Sequence, residues 1–413
     1  MPSDPDLAPA PPGWPLFCWV ALALCAGTMG TALASPLYPL YQERWHLTAS
    51  TITLIFVAYM VAVLGTFVFL GRLSDRFGPL PVLRAALVLI LAGMGLSAAA
   101  GMAGPANVAA GLAELFAGRA VIGIASGLII ASATAGLVEV APPAAKRHAS
   151  LAGSITSIIG FGLGPLAAGL MAQFAPAPLL TSYVVVMLLV TVVLAALCGF
   201  RATRRASPPP LSLRPRFVLP APPARPGFWV AALTTFSVFA IFSLFGSLAP
   251  SFLKALLHLH GPAISGSALA LFLLCSAGIQ FTLRHRPVQR NLVQGLAGLS
   301  VGVGLLAAAL ETQSSALFIV TILVTGAGHG MAFMAALATA SAATTPHTRA
   351  GILSSFFSVG YLGTILPVLG VGFLADHFGL APAVLLFCLT FALLSLGLLV
   401  AARRIVAPAP NGA

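Results

Sequence analysis

Two side chains stand where charge is costly. Arg119 and His329 each fall inside a long apolar stretch. Holding an arginine at the centre of a membrane helix costs about 2.5–3.5 kcal/mol on insertion scales, so a cavity-facing place or a partner acid is expected for it. Such a group can bind an anion or bias a neighbouring proton carrier. The competing reading is snorkelling to the outer interface, about two turns away. Gly123 and Gly127 follow Arg119 at spacings of four, so one helix face carries a charge above two bare turns. His329 can change charge near neutral pH and so carry a proton. Its duller alternative is a neutral imidazole bonded to a backbone carbonyl or to Thr325. Glu114 lies at the outer end of the Arg119 stretch.

A second group sits between stretches. Gly71-Arg-Leu73-Ser-Asp75-Arg76-Phe-Gly78 is a tight turn, with glycine at both ends for close backbone approach. Asp75 is its sole acid, with Arg72, Arg76 and Arg84 nearby. Glu139 is the second acid on that side. An acid at a helix junction can pair with arginine or with the positive end of a helix. Contacts that form in one state and break in another would act as a gate; ordinary exposed ion pairs, worth about 0–1 kcal/mol each, are the alternative. Gly153, Ser157, Gly160 and Gly164 make a small-residue stripe that ends at Pro165, and Gly360, Gly363, Pro367 and Gly370 repeat the idea. Such stripes let helices approach and slide, and proline bends its helix. Ser35-Pro-Leu-Tyr38-Pro-Leu-Tyr41 reads as a kinked outer lip, with Tyr38 and Tyr41 in an aromatic belt or lining an entrance.

These residues need elements to hold them. Apolar runs occupy 15–37, 51–71, 81–103, 111–138, 150–172, 179–200, 227–250, 264–283, 291–310, 315–341, 351–374 and 381–402. Hydrophobic residues make up 59% of the chain and charged ones 7%. Runs of this length with so little charge belong in hydrocarbon. They are continuous rather than alternating, which predicts helices and not barrel strands. With both termini cytoplasmic, all of the twenty basic residues except Arg44, Arg119 and Lys254 fall on the cytoplasmic side or its loops. That is a positive-inside pattern, and it explains the net charge of +12 without nucleic acid. The leading residues lack a basic segment, so no cleavable signal peptide is expected. Cys18, Cys25, Cys198, Cys275 and Cys388 all lie in spans without ligand spacing, so neither a metal site nor a disulfide framework is expected.

The predicted organisation is a cytoplasmic tail (1–14), a six-helix bundle (15–200), a linker (201–226), a second six-helix bundle (227–402) and a cytoplasmic tail (403–413). The linker has six arginines and eight prolines and no apolar period. The halves resemble each other. Gly123-Ile-Ala-Ser-Gly127 matches Gly326-Ala-Gly-His-Gly330, and the same offset carries Pro143 onto Pro346 and Lys146 onto Arg349. Cys18-Trp-Val-Ala21 matches Phe228-Trp-Val-Ala231. Six spans per half make this a parallel 6+6 repeat, which predicts a central cavity between the bundles.

The turn at Gly71–Gly78 resembles the G-x-L-x-D-R-x-G loop signature of the major facilitator superfamily. Arg119-Ala-Val-Ile-Gly123 is similar to its R-x-x-x-G pattern on the same span. Gly160-Phe-Gly-Leu-Gly164-Pro165-Leu-Ala-Ala-Gly169 is similar to the G-x-x-x-G-P-x-x-G-G pattern of its proton-driven antiporters. Pro79 and Leu80 stand where that loop usually turns basic, Ala168 replaces one glycine, and Arg284-His-Arg-Pro-Val-Gln-Arg290 lacks the Gly/Asp framework in the second half. The resemblance implies that Gly71, Asp75, Arg76, Gly78 and Arg84 form a gating relay in which Glu139 exchanges partners with a loop arginine.

The expected function is therefore secondary transport: proton-coupled antiport of small lipophilic or amphipathic compounds, with efflux by alternating access. A proton-coupled symporter that takes up an organic anion on Arg119 is the alternative. The acids are scattered, so no catalytic cluster of a membrane-embedded enzyme is visible, and no filter-like loop of a channel appears. The expected partners are a small-molecule substrate, protons and the lipid bilayer. No cofactor is expected beyond the proton gradient. The expected setting is a monomer in a bacterial cytoplasmic membrane.

Overall fold

The structure, a computed structural model, describes residues 13–104, 107–201, 217–258, 260–345 and 348–405. Most of the two tails, the central part of the linker and Pro346 lie outside the described residues. The rest is helical, with no strand among the described residues. In chain order the helices are α1 (Trp14–Ala32), α2 (Tyr38–Trp45), α3 (Ala49–Gly65), α4 (Leu73–Phe77), α5 (Pro79–Met102), α6 (Val108–Val140), α7 (Ala149–Phe174), α8 (Pro178–Cys198), α9 (Arg225–Ser247), α10 (Ala249–Leu256), α11 (Pro262–Thr282), α12 (Val288–Glu311), α13 (Ser315–Ala342), α14 (Arg349–Phe378) and α15 (Leu380–Ile405).

Twelve helical segments among the described residues are long and apolar enough to cross a membrane. They coincide with the predicted runs to within a few residues at most ends. The first departs most: it continues to Trp45 after a 3₁₀ turn at Ser35–Leu37. Pro36 and Pro39 supply no amide donor, so the α-helical ladder breaks there and resumes in α2. Elsewhere proline starts helices rather than stopping them. Pro79, Pro178 and Pro262 occupy the first position of α5, α8 and α11, where a missing N–H costs nothing. Gly78 (φ 84°) and Gly379 (φ 91°) make the sharp entries to α5 and α15 in a backbone region that side chains disfavour.

The chain divides into two compact units, Met1–His46 with Ala58–Pro215 and Leu47–Val57 with Arg216–Ala413. The division cuts through α3. Its opening turns, predicted to belong with the first bundle, group with the second unit. Within the first unit α6 packs on α5 and α1, and α1 on α7. Within the second, α13 packs on α12 and α11, and α9 on α14.

Glycine stripes set these approaches. A Cβ on Gly160 would overlap the Thr28 hydroxyl and the Cys25 carbonyl, and one on Gly164 would overlap the Met29 carbonyl. Gly160 and Gly164 thus face α1 inside the first unit. In the second unit Gly363 meets the Phe236 backbone of α9 in the same way.

Candidate functional site

The repeated glycine pair builds one polar site in each unit. In the first, Gly123 and Gly127 bring α6 against Tyr59, Ala62 and Thr66. Thr66 opens a single π-helical turn, Thr66–Leu70, that continues α3. In the second, Gly326 and Gly330 bring α13 against the Phe272 and Ser276 backbone of α11. Small residues allow this backbone proximity, and it delivers the side chains one turn away.

Arg119 sits one turn before Gly123. Its guanidinium carbon lies 4.4 Å from the Tyr59 ring centroid, and Nη1 donates to the Thr31 carbonyl at 3.3 Å. It is 2% exposed. Snorkelling to the interface is therefore ruled out. Tyr38, Tyr41 and Tyr183 complete the surroundings, all buried. The Tyr41 hydroxyl donates to the Ser97 carbonyl at 2.9 Å. Tyr38 and Tyr41 are 1% and 0% exposed. Both rings are packed, Tyr41 against Trp45, rather than exposed as an aromatic lip. Nearby, Thr31 Oγ1 and Ser126 Oγ are 2.5 Å apart.

His329 occupies the repeat position of Ser126. Its Nδ1 lies 2.8 Å from Ser276 Oγ, and Gln280 Nε2 donates to the same oxygen at 3.3 Å. Its partner is thus Ser276 rather than Thr325, whose hydroxyl is buried without a partner. Aromatic rings surround the imidazole: Phe272 at 5.0 Å, Phe242 at 6.4 Å and Phe333 at 6.5 Å between centroids. Phe239 extends this strip to Tyr361. No carboxylate is buried among the described residues; the buried charged or imidazole side chains are Arg119 and His329 alone.

The turn residues lie at the junction before α5. Asp75 and Arg76 lie on the short α4, with Arg76 near the Phe77 ring. Gly71 meets the Phe67 carbonyl and Gly78 caps α4. Arg84 reaches the Leu197 carbonyl in the last turn of α8 and the Phe200 carbonyl just beyond it, where a cation is favoured by the C-terminal carbonyls. Glu139 is exposed near the end of α6. Glu114 is half-buried one and a half turns before Arg119.

Asp376 escaped the sequence reading. Its carboxylate accepts the Ala49 and Ser50 amides at 2.8 and 3.2 Å, inside the second unit. It thus caps α3 from a residue 327 positions away. Thr48, just before α3, is a local hydroxyl at the helix entry, and nothing in the nearby sequence points to Asp376. Asp376→Ala is expected to cost this contact about 1 kcal/mol, with several-fold faster amide exchange at Ala49 and Ser50 by mass spectrometry. Unchanged exchange would show that the carboxylate does not hold the turn.

Comparison with known proteins agrees with this geometry. The family model described as Major Facilitator Superfamily matches residues 20–368. The multidrug efflux protein YfmO of Bacillus subtilis (strain 168) is 26% identical over 386 residues, covering 88% of this chain and 87% of its own. A bacterial homolog of the human lysosomal transporter Spinster, in an inward-facing and unoccupied conformation, superposes with a TM-score of 0.70 at 13% identity, over 95% of this chain and 98% of that one. A POT family transporter in complex with 5-aminolevulinic acid gives a TM-score of 0.73 at 12% identity, over 95% and 96%. At such identities the two structures speak for the fold alone. Twelve apolar helices, the paired glycine contacts and a family match over most of its length make this chain a member of the Major Facilitator Superfamily, and so a multi-pass membrane transporter.

Proposed function

We propose that the protein exports small lipophilic or amphipathic compounds across a bacterial cytoplasmic membrane in exchange for protons, by alternating access, and that it works as a monomer with both termini cytoplasmic. The observation that carries this reading is the make-up of the buried polar set: one imidazole in an aromatic strip, one guanidinium, and no buried carboxylate among the described residues. Rings such as Phe239, Phe242, Phe333 and Tyr361, each partly exposed, suit apolar or aromatic cargo better than sugars or phosphates, which need dense polar linings. A proton carrier needs a group that can take up and release a proton, and His329 is the buried imidazole among the described residues. The Bacillus subtilis relative is a multidrug efflux protein, which supports the direction.

Inverted membrane vesicles test the reading. With the lumen more acidic than the medium, ethidium is expected to accumulate inside and to leave when the gradient is collapsed. Accumulation that ignores the gradient would remove proton coupling. Octanoate accumulation only under the opposite gradient would favour anion symport instead.

A further inference from the structure

The surroundings of Arg119 hold too many donors. The guanidinium has five N–H groups and cannot lose its charge, yet its one recorded hydrogen bond goes to the Thr31 carbonyl. Its Nε is buried without a partner, and so are the hydroxyls of Tyr38 and Tyr183. Four of the chain's five tyrosines, Tyr38, Tyr41, Tyr59 and Tyr183, lie within electrostatic reach of this one cation. The nearby carbonyls are taken: Thr31 by Arg119 and Ser97 by Tyr41. A tyrosine oxygen that accepts from the guanidinium still leaves its own proton unplaced. The Tyr59 face offsets part of the charge, but a buried cation with no counter-ion costs several kcal/mol. No carboxylate is buried among the described residues to supply one. Donors in excess, one fixed positive charge and no internal anion together define what is missing.

We infer that Arg119 Nε and the hydroxyls of Tyr38 and Tyr183 form a binding site for a single anionic group, either a carboxylate or a halide, that enters from outside the chain. The group acts as counter-ion to Arg119 and takes the three unplaced protons. The inference is independent of direction and proton coupling, since the charge of Arg119 needs an anion in either case. A carboxylate would come with an amphipathic cargo molecule, a halide from solution.

The test uses the full-length protein in detergent at constant ionic strength. Thermal unfolding is followed as sodium chloride or sodium octanoate is titrated in, and isothermal calorimetry measures binding of each to the wild type. One of the two anions is expected to bind and to raise the midpoint by several degrees, as a ligand selective for the native state must. Tyr38→Phe combined with Tyr183→Phe keeps both rings, removes both unplaced protons and is expected to fold at wild-type yield with most of the shift gone. Arg119→Met is expected to lose it entirely. A response to octanoate alone assigns the site to cargo; a response to chloride alone assigns it to a solution ion. No calorimetric binding of either anion by the wild type would overturn the inference, as would an equal midpoint shift in the wild type and the phenylalanine pair.

Discussion

Gly160→Leu is expected to abolish folded protein. The position allows no local relief: a side chain there meets the Thr28 hydroxyl and the Cys25 carbonyl of α1, and the carbonyl belongs to a helix backbone. Overpacking against movable side chains costs about 1–3 kcal/mol. Here backbone must move, so at least the top of that range is expected, out of a total stability of about 5–15 kcal/mol. The control is Gly370→Ala, where a Cβ finds nothing within 4 Å; it is expected to be neutral. The readout is the yield of monodisperse protein by fluorescence-detected size exclusion. Wild-type yield for Gly160→Leu would mean that α7 does not pack on α1 through this stripe.

His329→Leu is expected to leave the protein folded and end gradient-driven accumulation. Each pH unit is worth about 1.4 kcal/mol per proton carried, which supports about a tenfold concentration ratio of exported compound. If the imidazole carries the proton, its loss removes that ratio, and ethidium in inverted vesicles settles at the medium concentration. Downhill equilibration continues, because leucine fills the apolar surroundings of Phe242, Phe272 and Phe333. Ser276 keeps its bond from Gln280, so the substitution strands no buried acceptor. A tenfold or greater ratio retained by the variant would exclude His329 as the carrier. Since no carboxylate is buried among the described residues, coupling would then have to use a group at a helix end.

The sequence by itself determined the twelve apolar helices, their proline starts and the glycine pairs of α6 and α13. Each of these is decided by chemistry within a few residues: continuous hydropathy, a missing amide donor, a missing side chain. It also singled out Arg119 and His329, because a charge in an apolar run is conspicuous wherever it ends up. It could not supply their partners. Tyr59 is sixty positions from Arg119 in the sequence, Ser276 is 53 from His329 and Asp376 is 327 from Ala49. Nothing local distinguishes those residues from others of their type. Tyr38 and Tyr41 were misplaced for a related reason: tyrosine near a helix end has the same local pattern whether it faces an interface or a packed core. Only tertiary packing decided which backbones the bare glycine faces admit, and so which side chains meet. The energy that selects those pairings is summed over whole helix contacts and belongs to no short stretch of sequence.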